Sequence, residues 1–171
     1  MGVSAEVPDW SREKKPPFLW NPPQALLSSI RTYQRHSGSR NPLRILIKKY
    51  MILRHRFWSA VTGAEIPINC QIGGGLSLPH PNGVVIHHKA KIGPNCLIFQ
   101  QVTIGTRAGS MPPVIGGHVD IGAGAKILGN VHIGDHARIG ANAVVLTDVP
   151  AGMTAVGIPA VIVHSKSSII K

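Results

Sequence analysis

One histidine lies where a regular spacing of apolar residues is interrupted, in the stretch SLPHPNGVVI that spans residues 77–86. His80 lies between Pro79 and Pro81, and the fixed φ of each proline holds the backbone on both sides of it. A neutral imidazole can take a proton from a hydroxyl near neutral pH, and histidine is the side chain most often used as a general base. His80 is therefore the first candidate for a catalytic group.

The two cysteines carry a weaker signal. Cys70 and Cys96 form neither a CxxC pair nor a Cys/His cluster with zinc spacing, so no metal site is predicted. We expect both to be small, buried core residues. Sparse cysteine also agrees with a reducing cytoplasm, which is the location we predict.

The composition fits one domain with an appendage. The 171 residues include 43% hydrophobic but only 5% aromatic side chains, so the core must be built from Ile, Val, Leu and Ala. The net charge is +11, and residues 1–60 carry 11 Lys and Arg against 3 Asp and Glu, whereas residues 61–171 carry 7 against 4. This uneven distribution does not indicate a nucleic-acid groove. We also expect neither a signal peptide nor a membrane span, because no long apolar run occurs.

The sequence after residue 64 repeats with a period of six. A branched apolar residue opens each hexad, and two places earlier the residue is small or apolar, as in Val119, Ala125 and Cys96. The opening residues are Ile66, Ile72, Leu78, Ile86, Ile92, Ile98, Ile104, Ile115, Ile121, Ile127, Ile133, Ile139 and Val145. A period of six fits neither an α-helix nor an alternating sheet, and it predicts short strands stacked in the coils of a parallel β-helix.

Two steps depart from this period. Leu78 and Ile86 are eight residues apart, which inserts two residues around His80, and Ile104 and Ile115 are eleven apart, which predicts a loop over GTRAGSMPP. Tightly stacked coils have room for insertions only outside their wall, so both insertions are candidate functional sites. We expect the other histidines of this region to be solvated on the outer wall; they are His87, His88, His118, His132 and His136.

The N-terminal segment, residues 1–63, is expected to hold one or two helices. Residues 1–24 are Pro-rich and polar, which predicts an extended, poorly ordered stretch, and helices are predicted over residues 25–37 and 42–61. Apolar residues of the second helix recur at steps of three and four, namely Leu43, Leu46, Ile47, Tyr50, Leu53, Phe57 and Val61. This stripe predicts packing against the chain's own domain, and the alternative is a basic amphipathic helix that also touches an anionic membrane.

Four motifs resemble those of a known enzyme family. GGGLSLPHPNGVVI, FQQVTIGT, IGAGAKILGNVHIG and AVGIPAVIV are similar, in order and spacing, to the serine acetyltransferase branch of the left-handed β-helix acyltransferases. The resemblance covers about residues 60–163. It implies an acetyl-CoA-dependent O-acetyltransferase whose active sites lie between neighbouring coils of a homotrimer. Residues 64–164 would form the left-handed β-helix domain, and residues 165–171 a C-terminal tail.

The resemblance implies roles for two residues. PHPNG matches the family's DH-x-x-G stretch, in which the histidine is the general base, so His80 would take the hydroxyl proton. The family orients this base with an acidic residue fifteen positions upstream, and that position is Glu65 here. Glu65 and His80 would then form a catalytic dyad on adjacent coils.

The resemblance also implies a path for CoA along the edge of the coils. Small residues there would let the pantetheine arm approach the backbone, and Arg107 or Lys126 could meet the phosphates. The residues implied in CoA binding are Gly105, Thr106, Arg107, Ala123, Lys126, Ala141, Gly157, Pro159 and Ala160.

Departures from the family pattern bear on the acceptor. Serine acetyltransferases have Asp directly before the catalytic histidine, where this chain has Pro79, and an Arg-His-Pro run where it has Met111 and Pro112. A zwitterionic amino acid needs charged partners when it leaves water. With these partners lost and the segment before residue 60 shorter than the family's large helical domain, the chain resembles the polysaccharide O-acetyltransferases of the family more closely. That resemblance implies a sugar or polysaccharide-precursor hydroxyl as acceptor, and the basic helix would suit a lipid-linked glycan at the cytoplasmic membrane face.

Alternatives to this prediction remain open at this point. They are serine O-acetylation for cysteine biosynthesis, a non-catalytic β-helix scaffold, and N-acetylation of an amino sugar. The sequence leaves the identity and position of the acceptor group undetermined.

Overall fold

The structure, a computed structural model, describes residues 3–14 and 20–163. A short 3-10 helix (Trp10–Glu13) and two α-helices, α1 (Pro22–Arg35) and α2 (Pro42–Thr62), precede a left-handed parallel β-helix. This confirms the fold class predicted from the hexad period. The predicted tail, residues 165–171, lies outside the described residues.

The described strands form three sheets that wrap around one core, and each coil adds one strand to each sheet. Sheet 1 contains β1 (Gln71–Ile72), β3 (Lys91–Ile92), β6 (Val114–Ile115) and β9 (His132–Ile133). Sheet 2 contains β4 (Leu97–Ile98), β7 (Asp120–Ile121), β10 (Arg138–Ile139), β12 (Thr154–Val156) and β13 (Val161–Val163). Sheet 3 contains β2 (Val85–Ile86), β5 (Thr103–Gly105), β8 (Lys126–Leu128) and β11 (Val144–Val145). The described pairings are parallel, except that β13 returns antiparallel to β12.

The opening residues of the hexads stack in register inside the coils. In sheet 3, for example, Ile86 pairs with Ile104, Ile104 with Ile127, and Ile127 with Val145. Each of these four side chains is at most 2% exposed. Complete burial of such a side chain stabilises the fold by about 1.5–3 kcal/mol, so the repeated column supplies most of the cohesion between coils.

Two corners of each coil use backbone conformations that the hexad pattern does not reveal. Asn95, Gln101, His118, His136 and Asn142 all have φ between 51° and 60°, in the left-handed region. At each of them the backbone N–H donates to a carbonyl of the preceding coil, as His118 does to Pro94 at 2.7 Å. His118 and His136 are therefore corner residues, and their Nδ1 atoms lie 2.9 Å apart.

Helix α1 closes the open end of the β-helix. Leu26, Leu27 and Ile30 are at most 2% exposed and join the same core cluster as the coils. Asn21 caps the helix by accepting a hydrogen bond from the Gln24 N–H at 3.3 Å, and Pro22 occupies the first turn, where its missing N–H costs nothing.

The apolar stripe of α2 does not pack against the rest of the chain, so that sequence prediction was wrong. Leu43, Leu46 and Leu53 are 64–65% exposed, and only Ile47 of the predicted set is partly covered. The stripe is exposed because α2 packs through a different face. The buried residues of that face are Met51 and Thr62.

The N-terminal strap, residues 4–13, also differs from the prediction of a poorly ordered stretch. Asn95 is fully buried, and its amide holds the strap with three hydrogen bonds: Oδ1 accepts from the Asp9 N–H at 2.7 Å, and Nδ2 donates to the carbonyls of Ser4 and Val7 at 2.8 Å. Glu13 forms a salt bridge with Arg31 at 2.8 Å, which fixes the end of the strap. Polar contacts with Asn95 of the coils and Arg31 of α1 therefore hold this segment in place.

We predict that Asn95→Gly releases the strap, because glycine keeps the left-handed backbone but removes three hydrogen bonds worth about 1 kcal/mol each. Tryptic cleavage after Arg12 should accelerate by about tenfold or more in limited proteolysis. Asn142→Gly is the matched control, since Asn142 has φ 56° and its side chain makes no hydrogen bond to another described residue. Equal cleavage rates in both variants would contradict the role of Asn95.

Candidate active site

The two-residue insertion forms a turn at the corner where sheet 2 leads into sheet 3. Pro79 and His80 are both exposed in this turn, and the Gly83 N–H after it donates to the Gly63 carbonyl of the coil start at 2.8 Å. Gly83 takes φ 69°, and a Cβ there would lie 2.5 Å from the Gln101 side chain. The Gly83–Gly63 hydrogen bond joins the end of the turn to the preceding segment, and His80 lies exposed outside the coil wall.

Glu65 lies at the start of the first coil, near the same corner. Its backbone pairs with Val85 of β2, two residues after the Gly63 carbonyl that holds the His80 turn. The Glu65 side chain is exposed, and neither it nor the imidazole of His80 makes a hydrogen bond to another described residue. The structure thus brings both candidates to one corner of the β-helix without joining them directly.

Most of the residues implied in CoA binding follow His80 along this same edge. We call it the His80 corner, and it consists of residues 79–83, 99–101, 122–124, 140–142 and 157–160 of five successive coils. The Asn142 N–H donates to the Ala123 carbonyl, and the Ala160 N–H to the Val144 carbonyl, each at 2.8 Å. The corner is a continuous column of stacked turns, and Ala123 and Ala141 contribute only a methyl side chain to it.

Gly105, Thr106 and Arg107 lie elsewhere, at the opposite edge of sheet 3. The 106–113 loop leaves the wall between β5 and β6, and four of its residues, Arg107 to Ser110, line a cavity of about 420 Å³. Leu128, Gly129, Asn130 and Leu146 form the rest of its lining. Strand β5 separates the Gln101 corner from Thr106, so the two groups of residues lie at opposite edges of sheet 3.

The two cations proposed for phosphate binding are placed differently. Arg107 is exposed at the rim of the loop cavity; its backbone N–H donates to Ser110 Oγ at 3.0 Å and its carbonyl accepts from the Ser110 N–H at 2.9 Å, whereas its guanidinium makes no hydrogen bond to another described residue. Lys126 Nζ donates to the Gln101 carbonyl at 2.5 Å and so supports the His80 corner. Arg107 is the freer of the two for a ligand.

One pair of side chains that shapes the corner was not predicted from the sequence. Asn82 Oδ1 accepts a hydrogen bond from Gln101 Nε2 at 2.9 Å, and the Gln101 N–H donates to the Asn82 carbonyl at 2.9 Å. These contacts tie the His80 turn to the next coil. The Asn-Gly dipeptide after Pro81 was a visible turn signal, but the partner in the next coil was not.

The cysteines are unsuited to nucleophilic chemistry. Burial raises the pKa of the Cys70 and Cys96 thiols to about 11, so both stay protonated near neutral pH. Both side chains are fully buried among the hexad residues, as predicted. No group of three His, Cys, Asp or Glu residues in the described ranges is arranged to hold a metal ion.

Comparison with known proteins places this geometry in a family. The bacterial transferase hexapeptide family (six repeats) matches residues 112–147. A serine acetyltransferase of Synechocystis sp. is 52% identical over 106 residues, which are 60% of this chain and 43% of that protein. The chain spans about half the length of the curated relatives it matches.

Solved structures agree with the sequence match. Soybean serine acetyltransferase complexed with serine is 32% identical with a TM-score of 0.63, over 81% of this chain and 70% of that one. A serine acetyltransferase in complex with CoA is 34% identical with a TM-score of 0.70, over 85% of this chain and 58% of that one.

These comparisons overturn the predicted saccharide acceptor. The relatives and structures are named serine acetyltransferases, and none of them supports a role in polysaccharide biosynthesis. The prediction was wrong because it weighed three substituted positions, Pro79, Met111 and Pro112, above a similarity that amounts to 52% identity over 106 aligned residues.

The hexad core, the His80 corner and these matches lead to one assignment: the chain belongs to the hexapeptide-repeat transferases, in their serine acetyltransferase-like branch.

Proposed function

We propose that this protein is an acetyl-CoA-dependent serine O-acetyltransferase that uses His80 as its general base. The observation that carries the proposal is the position of His80, exposed at the head of a corner along which Ala123, Ala141 and Gly157 follow on successive coils. An enzyme in complex with CoA and another in complex with serine are among the structures that share this fold.

In the proposed reaction, the His80 imidazole takes the proton of the serine hydroxyl as its oxygen attacks the thioester carbonyl. A serine hydroxyl is far too weak an acid to ionise at neutral pH, so removal of the proton during attack is worth about 10²–10⁴-fold in rate. The tetrahedral intermediate then expels CoA as its C–S bond breaks, and the imidazolium returns the proton to the leaving sulfur. The products are O-acetylserine and CoA, and His80 is neutral again.

Glu65 is proposed as the residue that orients His80. A carboxylate that accepts a hydrogen bond from one ring nitrogen selects the tautomer that leaves the other nitrogen free, and it stabilises the imidazolium. Both side chains are exposed near one corner, and the proposal is that they meet when substrate binds. Apo geometry is often loose in such pairs.

Acetyl-CoA is proposed to lie along the His80 corner. Residues without long side chains, Ala123, Ala141 and the 157–160 turn, leave the backbone approachable for the pantetheine arm. His80 lies at one end of this corner, so the thioester of acetyl-CoA would lie next to His80. Arg107 lies across sheet 3 from this corner, at the rim of the 420 Å³ cavity, so the exposed guanidinium of a neighbouring copy in the trimer proposed below would meet a CoA phosphate.

The acceptor pocket is expected to bind serine weakly. The ammonium and carboxylate of an amino acid lose hydration on binding and need charged partners. Pro79 is uncharged, and so are the exposed Met111 and the buried Pro112 of the 106–113 loop. We therefore propose that these departures raise the KM for serine and leave the chemistry of His80 in place.

The proposed enzyme works as a homotrimer. The His80 corner and the 106–113 loop lie at opposite edges of sheet 3, so three copies around an axis could set the loop of one against the corner of the next. We further propose a cytoplasmic location from the sparse, free cysteines, and cell fractionation would check it.

The first prediction from the proposed function concerns the base. With acetyl-CoA and L-serine, His80→Ala should lower kcat by about 10²–10⁴-fold in an assay of thiol release, since the hydroxyl then attacks without a proton acceptor. Glu65→Gln should lower kcat with little change in the KM for acetyl-CoA. His132→Ala is the matched control, because His132 is exposed on sheet 1 away from the corner. Serine acetylation that is unchanged in His80→Ala, or absent in the wild-type protein, would refute the proposal.

The second prediction concerns Arg107. Arg107→Ala should raise the KM for acetyl-CoA by about tenfold, the expected loss of one charged hydrogen bond. With S-acetylpantetheine, which lacks the nucleotide, the variant should match the wild type. Arg138→Ala, which removes an exposed cation from sheet 2, serves as the control. An equal effect on both acetyl donors would show that Arg107 does not meet the nucleotide phosphates.

The third prediction concerns assembly. Light scattering of the purified protein should give a mass three times the 18.2 kDa of the chain. A monomeric mass at the concentration of the activity assay would contradict the proposed trimer, because the loop and the corner would then lack their neighbours.

A further inference from the structure

Helix α2 presents an apolar stripe to solvent along its whole length. Its members recur at steps of three and four and share one side of the helix. They are Leu43 (64% exposed), Leu46 (64%), Tyr50 (60%), Leu53 (65%), Phe57 (57%) and Val61 (42%). Contiguous apolar patches of this kind usually mark an interaction surface.

The helix is held firmly by its other face, so the stripe has a fixed direction. Arg54 Nη1 donates to Ser28 Oγ of α1 at 2.9 Å, and the Lys48 ammonium lies 5.5 Å from the ring centre of Tyr33. His55 Nε2 lies 2.8 Å from the Ile66 carbonyl of the first coil, which anchors α2 to the β-helix. Turning the stripe inward would break these contacts.

The charge of α2 indicates what kind of partner surface its apolar stripe contacts. Helix α2 contains five Lys and Arg residues and no Asp or Glu. Lys49 and Arg56 are exposed, and each directly precedes a stripe residue, Tyr50 or Phe57. An apolar stripe bordered by cations matches the boundary between acyl chains and anionic headgroups.

The aromatic residues beside the stripe agree with this match. Trp20 is 69% exposed and packs on Trp58, with ring centres 5.4 Å apart, next to Phe57. Trp and Tyr are enriched at the headgroup level of membranes, where one end of the ring is apolar and the other is wet. The described aromatic cluster therefore extends the surface formed by α2.

A second copy of the chain fits this face less well. Two α2 helices packed along their stripes would bring Lys49 and Arg56 of one copy close to the same residues of the other, with no acidic residue on either helix to compensate. The whole chain carries a net charge of +11, so other surfaces of a copy would also repel it. No described helix is long and apolar enough to cross a membrane.

We propose that α2 docks this protein on an anionic lipid bilayer, lying in the plane of the interface with its stripe buried among the acyl chains. The helix has 21 residues and is about 32 Å long, so all six stripe residues can insert together. The docking is independent of the proposed acetyl transfer, because none of these residues belongs to the His80 corner or the 106–113 loop.

The test is flotation of the full chain with vesicles of phosphatidylcholine alone or of phosphatidylcholine with phosphatidylglycerol. The wild-type protein should float with the anionic vesicles only. Leu46→Ser with Leu53→Ser, which keeps the charge, and Lys49→Gln with Arg56→Gln, which keeps the stripe, should each lower the partition coefficient by about tenfold or more. Acetyl transfer without vesicles should be unchanged in both.

A matched control separates the stripe from exposed apolar surface in general. Val7→Ser with Val161→Ser removes two side chains of similar exposure, 69% and 60%, and should float like the wild type. The proposal fails if the wild-type protein stays with the soluble fraction, or if the Leu46 and Leu53 changes leave flotation intact. It also fails if those changes lower the mass of the assembly in light scattering, since a second copy would then be the occupant.

Discussion

Stacking of one branched side chain per hexad, coil upon coil, is the interaction on which the rest of the structure depends. Columns such as Ile86, Ile104 and Ile127 fill the interior completely, and the parallel pairing of the short strands follows from their register. An interior packed in this way has no room for a pocket. Chemistry must therefore occur outside the wall, and His80 and the 106–113 loop lie at the two places where the period is broken.

The period also explains which parts of the structure were predictable. The hexad residues, the β-helix and the buried cysteines could be predicted because a single local rule repeats along the chain. The corner conformation of Asn95 and the hydrogen bond between Asn82 and Gln101 could not, since each depends on a residue one coil away that no local pattern specifies. Predicted site residues such as Ala123 and Ala141 proved to share one corner with His80, which remains a proposed site.

The N-terminal segment shows where sequence reasoning failed. A Pro-rich, polar composition suggested poor order, but buried Asn95 and the salt bridge of Glu13 with Arg31 hold the strap in place. The stripe of α2 had the spacing of a core-facing helix, yet burial depends on the area a neighbour can offer, and α1 covers the opposite face. The acceptor was also misjudged, because departures at a few positions such as Pro79 were weighed above a similarity to serine acetyltransferases of 52% identity over 106 residues.

The proposed mechanism depends most on contact between His80 and the acceptor hydroxyl at the end of the His80 corner. A crystal structure with CoA and L-serine bound tests this directly. We predict CoA along the corner past Ala123 and Ala141, with the serine hydroxyl oxygen about 2.6–3.2 Å from a ring nitrogen of His80. Serine or CoA bound away from this corner, with His80 in contact with neither, would contradict the account.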